Sequence, residues 1–293
     1  MMTTDRNRTH RPAKRRFGQH FLERAWAEKV VRSIAPAPDQ TFFEIGPGRG
    51  AITTLLASAA REVLAFEIDR DLAAALRRDG PPSVHVVEGD FLTITSQRLR
   101  SELAGLDRAP TSIRVAGNLP YNVASPILFK LVELYHAGIP LVDATVMLQR
   151  EVAIRLLASP GNKDYGVLTI LIGRHASVGP VLQLPAGAFR PVPKVHSTLV
   201  RLRFHTAHPP VHDEQVFESV TQAIFTRRRK TLSNALLAYP LKADQSPLSL
   251  LLSAGLDPRR RPETLTLEEL TRLADVVSIS AGAGLQTGSG GTP

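Results

Sequence analysis

Residues 115–121 join an apolar run to groups that could bind a flat ring. The run Val115-Ala116-Gly117 is followed by the amide of Asn118 and then by Leu119-Pro120-Tyr121. In an α/β protein such a strand delivers the groups at its end to the carboxyl edge of the sheet, where open sheets bind their ligands. An amide, a stiff backbone with a free carbonyl and an aromatic ring can hold an amine-bearing ring by its edge and its face. The alternative is a strand that stops at a turn, with Tyr121 packed in the core.

A glycine turn, Gly46-Pro47-Gly48-Arg49-Gly50, lies between a predicted strand over 41–45 and a predicted helix over 51–60. Glycines let the backbone approach a ligand closely because no side chain intervenes. The turn fits the dinucleotide fingerprint only if Ala51 takes the last glycine place. The acid Glu44 ahead of the turn and the additional glycine instead fit Glu-x-Gly-x-Gly-x-Gly, the pattern of S-adenosylmethionine-dependent methyltransferases.

Acids follow the next two predicted strands. Glu67 ends the strand that begins at Glu62, about 20 residues after the first loop glycine, where a carboxylate can accept hydrogen bonds from both ribose hydroxyls of a nucleoside. Asp90 follows the strand over 84–88 and can accept the adenine amine of a cofactor, with Phe91 beside the ring. Alone, either acid could be an exposed residue at a strand end. Because four predicted strands end in a polar group or a glycine turn, we predict a site at that edge.

These groups suit methyl transfer to an exocyclic amine of adenine, which is a weak nucleophile because its lone pair is delocalised into the ring. The Asn118 side-chain oxygen and the Leu119 carbonyl would each accept one amine hydrogen and turn the lone pair toward an activated methyl group. The base would stack on Tyr121, with Phe189 on its other face, at about 1–3 kcal/mol per contact. A sulfonium supplies its own leaving group, so no metal is expected. The base must be unstacked, which favours a loop or a loosely paired target.

The composition favours a polyanionic partner. The 293 residues carry a net charge of +9, which suits nucleic acid or an anionic membrane. Two cationic runs, Arg227–Lys230 and Arg259–Arg261, could be solvated faces, but in one small helical region of a basic chain they favour phosphate contacts. The absence of cysteine excludes disulfides and thiolate metal sites. No apolar run approaches the ~18 residues of a membrane span, and the basic N-terminus lacks the apolar segment of a secretory signal.

The sequence resembles the ribosomal RNA adenine N6-dimethyltransferases, most closely the KsgA (RsmA) type that acts on small-subunit (16S) rRNA. The resemblance extends from about Arg15 to Leu273. The stretches that carry it are Arg16-Phe17-Gly18-Gln19-His20-Phe21-Leu22, Glu44-Ile45-Gly46-Pro47-Gly48, Asn118-Leu119-Pro120-Tyr121-Asn122, Met147-Leu148-Gln149-Arg150-Glu151-Val152, Phe189-Arg190-Pro191-Val192-Pro193-Lys194-Val195-His196-Ser197 and Arg228-Arg229-Lys230-Thr231. His20 and His196 depart from the asparagine and the aspartate that many members have at these places.

The resemblance implies three sets of site residues. The cofactor set is His20, Leu22, Gly46, Glu67, Asp90 and Asn118. The target adenine set is Asn118, Leu119, Pro120, Tyr121 and Phe189. The rRNA contacts are Arg228, Arg229 and Lys230. S-adenosylmethionine is the implied methyl donor, with no metal.

The implied fold is α/β, a Rossmann-like methyltransferase sheet with a small all-α C-terminal domain. We assign 1–15 to a flexible basic arm, 16–206 to the S-adenosylmethionine-binding domain, 207–280 to a helical rRNA-binding domain and 281–293 to a disordered tail. The implied reaction is N6,N6-dimethylation of two adjacent adenosines near the 3′ end of 16S rRNA during ribosome biogenesis. The expected partner is the small (30S) subunit precursor in the cytoplasm, with no membrane partner and a monomer as the default.

Three other functions stay open. An Erm-type enzyme would dimethylate one adenine of 23S rRNA and confer macrolide resistance. The Gln149–Val152 segment, the Lys163–Gly166 loop and Leu119 in place of isoleucine argue against it. A DNA adenine methyltransferase would more typically carry a second proline at position 119. A non-catalytic RNA-binding assembly factor would be expected to have lost Glu67, Asn118 or Tyr121, and all are present.

Overall fold

The computed structural model describes residues 20–242 and 245–282 and divides into two compact units. The first comprises the chain up to Arg150 together with Val181–Arg201, and the second comprises Glu151–Pro180 and the chain from Leu202 onward. The expected boundary at 206/207 differs, because the segment from Glu151 packs with the second unit. The predicted arm, the 16–19 part of the first motif and residues 283–293 of the predicted tail lie outside the described residues.

Strands supply the frame on which the candidate site is built. Within the described residues they are β1 (Phe21–Leu22), β2 (Thr41–Ile45), β3 (Glu62–Glu67), β4 (Val84–Glu88), β5 (Ile113–Asn118), β6 (Leu141–Gln149), β7 (Ala176–Leu184), β8 (Phe189–Arg190) and β9 (Ser197–Phe204). Seven of them form a sheet in the order β4-β3-β2-β5-β6-β9-β7, and β1 pairs with β8. The α/β class predicted from the sequence is confirmed.

Strands β4, β3, β2, β5 and β6 run parallel, so their carboxyl ends meet at one edge of the sheet. Ile45 lies opposite both Phe66 and Gly117, and Glu67 lies opposite Glu88. Every residue of β2 and β3 is buried, as expected for central parallel strands that are covered on both faces. This register brings the predicted polar strand ends together.

Helices connect and cover the strands. Within the described residues they are α1 (Arg24–Ile34), α2 (Thr53–Ala57), α3 (Arg70–Asp79), α4 (Ser96–Ala104), α5 (Ala124–His136), α6 (Arg150–Leu156), α7 (Val167–Gly173), α8 (Glu214–Thr226), α9 (Leu232–Leu236), α10 (Pro247–Ser253) and α11 (Leu267–Gly282). Helix α2 is shorter than the predicted 51–60. The backbone forms turns both before Thr53 and after Ala57. Helix α4, which the sequence analysis missed, begins at the Thr95 cap and buries only Leu99 and Leu103.

A buried ionic network fixes the C-terminal end of α1 to the sheet. The Arg114 guanidinium donates to both carboxylate oxygens of Asp143 at 2.9 Å and to the Ile34 carbonyl at 2.9 Å. Arg201 donates to the Ser33 carbonyl at 2.7 Å and to Thr145 Oγ1 at 2.9 Å. These bonds satisfy carbonyls that the end of a helix leaves without partners. They hold α1, and with it the segment that precedes it, in a fixed place on the first unit.

The second unit has its own hydrophobic core, formed by α7 to α11. Phe217, Leu236, Leu251 and Leu273 are buried there together with Tyr165. Tyr165, Ile170 and Leu171 are part of that core, so the segment 151–180 belongs with the helices of this unit.

Candidate active site

A cavity of about 540 Å³ lies at the carboxyl edge of the parallel strands, a size suited to a nucleoside-based ligand. The glycine turn after β2, the ends of β3, β4 and β5, and the segment 20–24 line it. The predicted site residues that it brings together are His20, Leu22, Gly46, Glu67, Asp90, Asn118, Leu119, Pro120 and Tyr121. The predicted cofactor set and most of the predicted base-binding set therefore share one cavity.

The glycine turn depends on backbone conformations that other residues rarely adopt. Gly46 and Gly48 have φ values of 70° and 59°, in the left-handed region. A Cβ atom on Gly48 would lie 3.2 Å from the Phe21 ring, so a side chain there would crowd the opposite wall of the cavity. The Arg49 guanidinium lies over the same ring, 4.1 Å from its centroid. The turn and the N-terminal segment thus form two facing walls.

Glu67 is buried at the end of β3 and ties the second strand to the glycine turn. Its Oε2 accepts from the Gly48 amide at 3.0 Å, and its Oε1 accepts from the Asp69 amide at 2.9 Å. Burial raises the pKa of this carboxyl, and the two backbone hydrogen bonds act against that rise. A carboxylate oriented in this way is suited to accept hydroxyl hydrogens from a sugar.

Asp90 stands at the end of β4 and is exposed at the cavity wall. Its Oδ1 accepts from the Leu92 amide at 2.9 Å and caps a short 3-10 turn. Phe91, in that turn, is buried and packs edge-on against Phe66, with 5.2 Å between ring centroids. Phe66 and Phe91 both line the cavity, which gives the wall beside Asp90 an apolar surface for a ring.

Asn118 is oriented by the N-terminal segment. Its Nδ2 donates to the His20 carbonyl at 2.8 Å, which leaves the side-chain oxygen as the acceptor for a ligand. The Leu119 carbonyl accepts no hydrogen bond from the described part of the chain. These two oxygens are the acceptors predicted for an amine, and they belong to adjacent residues of the cavity wall.

His20 and Tyr121 are held together. Their rings are stacked with centroids 5.4 Å apart and 26° between planes. His20 Nδ1 donates to the Pro191 carbonyl at 2.7 Å, and the Tyr121 hydroxyl bonds Ser197 Oγ at 3.0 Å. Burial raises the pKa of Tyr121, so it stays a neutral ring at physiological pH.

The N-terminal segment is fastened by a two-residue ladder that the sequence analysis missed. Phe21 pairs with Arg190 and Leu22 with Phe189, and the Glu23 amide donates to the Ala188 carbonyl at 2.9 Å. Two-residue strands carry no periodic pattern, so the sequence offers no signal for them.

Phe189 does not line the cavity. Its side chain has 0% exposure and packs with Leu22, Val30 and Ile34 in the core of the first unit, while its neighbour Arg190 reaches the cavity wall. A stacking role requires the Phe189 ring to leave this core when a base enters. That role stays a prediction.

Glu44 lines the same cavity and was used in the sequence analysis only as part of a pattern. It is 1% exposed, and its Oε2 has no hydrogen-bond partner among the described residues. Burial, reinforced by the nearby Glu67, raises its pKa to about 8, although the Thr53 side chain lowers it somewhat. The signal for this residue was its place directly before the glycine turn.

The predicted RNA-contact residues belong to the second unit and do not line the cavity. Arg228, Arg229 and Lys230 are exposed, and Arg228 Nη1 donates to the Lys163 carbonyl at 2.6 Å. In the other cationic run, Arg260 is engaged by Glu269 through bonds of 2.5 and 2.8 Å.

Residues 20–242 and 245–282 contain no helix with the length and apolar character needed to cross a membrane. In the same part of the chain no group of three or more acidic or histidine side chains is arranged to hold a metal ion.

Comparisons with known proteins match nearly the whole chain. The sequence profile described as "Ribosomal RNA adenine dimethylase" matches residues 10–278. A ribosomal RNA small subunit methyltransferase A from Chromohalobacter salexigens is 40% identical over 273 residues, which are 92% of this chain and 93% of that protein.

Solved structures agree on the fold. A dimethyladenosine transferase from Plasmodium falciparum superimposes with a TM-score of 0.67 at 22% identity, covering 87% of this chain and 96% of the other. The 23S rRNA methyltransferase ErmE superimposes with a TM-score of 0.60 at 27% identity, covering 88% and 99%.

Proposed function

The chain belongs to the ribosomal RNA adenine dimethylase family, and we propose that it dimethylates the N6 nitrogens of two adjacent adenosines near the 3′ end of 16S rRNA. The support for the small subunit is the 40% identity to a small subunit methyltransferase along 92% of this chain. The observation that carries the chemistry is the orientation of Asn118. Its nitrogen is engaged by the His20 carbonyl, so its oxygen is kept for the amine of the substrate.

We assign the cofactor S-adenosylmethionine to the cavity between the glycine turn and the segment 20–22. The residues present fit it: Glu67 for the ribose hydroxyls, Asp90 for the adenine amine, Phe66 and Phe91 as the apolar wall, and Gly46 and Gly48 for close approach of the backbone. His20, Leu22 and Asn118 close the side nearest the target. The cofactor supplies an electrophilic methyl group and its own leaving group.

The protein contributes position and electrostatics to the transfer. The Asn118 oxygen and the Leu119 carbonyl accept the two amine hydrogens, which localises the lone pair and turns it toward the methyl group. Tyr121 stacks on the base, held by the His20 ring and by its bond to Ser197. Pro120 keeps the turn between these groups rigid. Phe189 takes the other face of the base after leaving its buried place.

We also propose that the second unit binds the backbone of the rRNA. Arg228, Arg229 and Lys230 would contact phosphates of the small-subunit precursor, in the cytoplasm where bacterial ribosomes are assembled. The helical rRNA-binding domain assigned over 207–280 corresponds to most of this unit. A monomer stays the expected state.

A large-subunit substrate is the second candidate, because the structure of ErmE covers 88% of this chain at 27% identity. The test offers tritiated S-adenosylmethionine to small and large subunits that lack the methyl groups and maps the labelled adenosines. We expect label on small subunits, as two methyl groups on each of two adjacent adenosines. Label confined to large-subunit rRNA would support the second candidate, and label on neither would overturn both.

The Asn118→Ala variant is the control for chemistry in this assay. Loss of one acceptor in the transition state is expected to lower the rate of methyl transfer by about 10²–10³-fold. Binding of S-adenosylhomocysteine, which needs no target base, should weaken much less. Equal losses in rate and in binding would show that Asn118 serves the cofactor alone.

A further inference from the structure

Residues 191–196 form a loop (the proline loop) that presents two apolar side chains to solvent. Val192 is 55% exposed and Val195 is 40% exposed, whereas Phe189 and Ser197, on either side of the loop, are buried. Single exposed valines are common on protein surfaces and need no explanation by themselves. These two share one short loop, and both ends of that loop are bonded to residues that line the cavity.

The proline loop is fixed to the wall of the cavity at both ends. At its start, the Pro191 carbonyl accepts from His20 Nδ1 at 2.7 Å. Directly after its end, Ser197 Oγ bonds the Tyr121 hydroxyl at 3.0 Å. His20 and Tyr121 both line the cavity, and their rings are stacked on each other. Consecutive Cα atoms are about 3.8 Å apart, so each valine lies within two such steps of a residue that is bonded to the base-binding wall.

The loop is stiff where it is most exposed. Pro191 and Pro193 restrict the backbone on both sides of Val192, and Pro193 is itself buried. A side chain that is already held in one place loses little conformational freedom when it binds. Apolar surface in water is unfavourable, and burial against another apolar surface removes that cost. A rigid aliphatic side chain of this kind is suited to insertion between flat rings.

The charge of this stretch favours RNA as the partner. Residues 190–196 contain no acid and include Arg190 and Lys194, which are both exposed. Arg190 pairs with Glu23 at 3.4 Å, but both side chains are about half exposed, so a phosphate can compete for the guanidinium. The two cations flank Val192 in sequence, and cations beside an apolar side chain suit the phosphates on either side of a base step.

We propose that Val192, supported by Val195, is a wedge that enters the rRNA stack when a target adenosine leaves it. The inference rests on the proposed function, in which Tyr121 holds an unstacked adenosine in the cavity. Extrusion of a base leaves a gap between its neighbours, and proteins that deform nucleic acids insert apolar side chains between base steps. The wedge stabilises the extruded state and so raises the fraction of bound rRNA whose base is in the cavity. Val192 is therefore a positioning residue that acts before methyl transfer.

Single-turnover methylation of small subunits with tritiated S-adenosylmethionine tests the wedge. The subunits are reconstituted with a synthetic 3′ segment of the rRNA in two forms. The intact form has the natural sequence, and the opened form has an abasic nucleotide on each side of the adenosine pair, so that each adenosine loses one stacking partner. We expect Val192→Ala to lower the rate about tenfold on the intact form and by less than about twofold on the opened form, where much of the cost of unstacking is already removed.

Two variants and one binding measurement are the controls. Val142→Ala shortens a valine that is 49% exposed at the start of β6, at the edge of the sheet opposite the cavity, and it should leave both rates unchanged. Val192→Leu keeps an apolar side chain at the tip of the loop and should keep most of the rate on the intact form. The affinity of Val192→Ala for S-adenosylhomocysteine should equal that of the unmodified chain, because the wedge does not contact the cofactor.

The outcomes separate the wedge from the proposed function. An equal loss on both forms, or a loss in Val192→Ala no larger than that in Val142→Ala, would overturn the inference. A loss of rate accompanied by weaker binding of S-adenosylhomocysteine would also overturn it, because the loop would then act by shaping the cavity. In each of these cases the proposed function stands if the unmodified chain labels the adenosine pair of the intact form. No label from the unmodified chain would overturn the proposed function and the inference together.

Discussion

Glu44 and Glu67 are acids of one cavity whose surroundings give them different tasks. Both are buried at the ends of adjacent strands. Glu67 accepts hydrogen bonds from the Gly48 and Asp69 amides, which fix its orientation and stabilise its charge. The Oε2 atom of Glu44 has no such donor in the described chain. The hydrogen-bonded acid is suited to hold the neutral hydroxyls of a sugar, whereas the Oε2 atom of Glu44 lacks a donor among the described residues that would orient it in this way.

Replacement of Glu67 by alanine should weaken the binding of S-adenosylhomocysteine by roughly ten- to a hundredfold. The reason is the loss of charge-assisted bonds to ribose, which contribute about 1.5–3 kcal/mol each. Calorimetry at a fixed pH measures the change. Glu88→Ala is the matched control, because Glu88 is the register partner of Glu67 on β4 but pairs with Arg70 and Arg77 outside the cavity. Equal losses of affinity in both variants would show that Glu67 does not bind the cofactor.

At this scale the sequence predicts which residues meet, and it does not predict their burial. Asn118 and Tyr121 were predicted to share a site because strand ends of a parallel sheet converge. Phe189 was expected beside them, but burial in a core depends on contacts with α1 that are distant in sequence. The missing partner of Glu44 is likewise a property of three-dimensional packing.

At the scale of elements, the site depends on the close approach of β2 and β5. Gly117 lies opposite Ile45, and a Cβ atom on it would be 2.5 Å from the Ile45 carbonyl oxygen. No real side chain tolerates that distance from a backbone atom, so any substitution would push the strands apart. Since the glycine turn follows one strand and Asn118 ends the other, the separation of these strands sets the width of the cavity.

Gly117→Ala should therefore lower the free energy of unfolding by about 3 kcal/mol. Urea unfolding followed by the fluorescence of Trp26, the single tryptophan, reports on the first unit. Gly187→Ala is the control in the same unit, because nothing lies within 4 Å of its added methyl group. An effect of Gly117→Ala as small as that of the control would mean that the strands can adjust at no cost.

The central elements were predicted well because their signals are local and strong. The strands over 41–45 and 84–88 match β2 and β4, whose apolar runs end in a glycine turn and a Gly-Asp pair. Helix α7 ends at Gly173, and β7 begins only three residues later at Ala176. The ladder of β1 and β8 joins residues far apart in the chain. Pairing of that kind is decided by tertiary contacts and leaves no local pattern.

At the scale of the whole molecule, the net charge is +9. Some of the cationic side chains have acidic partners, and others are exposed to solvent. In the first unit, Arg77 and Arg78 are held by Glu88 and Asp79 at 3.0 and 2.7 Å. In the second unit, Arg229 and Lys230 are exposed at the end of α8. Cations with acidic partners are largely compensated, so the exposed pair contributes more to the attraction of a polyanion.

The salt dependence of RNA binding tests this division of charge. Each phosphate contact that is lost should flatten the slope of log affinity against log salt concentration by about 0.9. Replacing both Arg229 and Lys230 by alanine should therefore flatten it by about two, measured by filter binding of small-subunit rRNA. Arg228 is left in place because its bond to the Lys163 carbonyl holds a neighbouring loop.

The double replacement of Arg77 and Arg78 by alanine is the matched control for this measurement. It removes the same formal charge from cations that already have acidic partners, so the slope should change by much less than in the first variant. Equal flattening in both variants would mean that net charge alone governs binding. An unaltered slope in the Arg229 and Lys230 variant would mean that these side chains form a solvated face. A selective effect would assign the end of α8 to the rRNA backbone and leave base recognition to the cavity of the first unit.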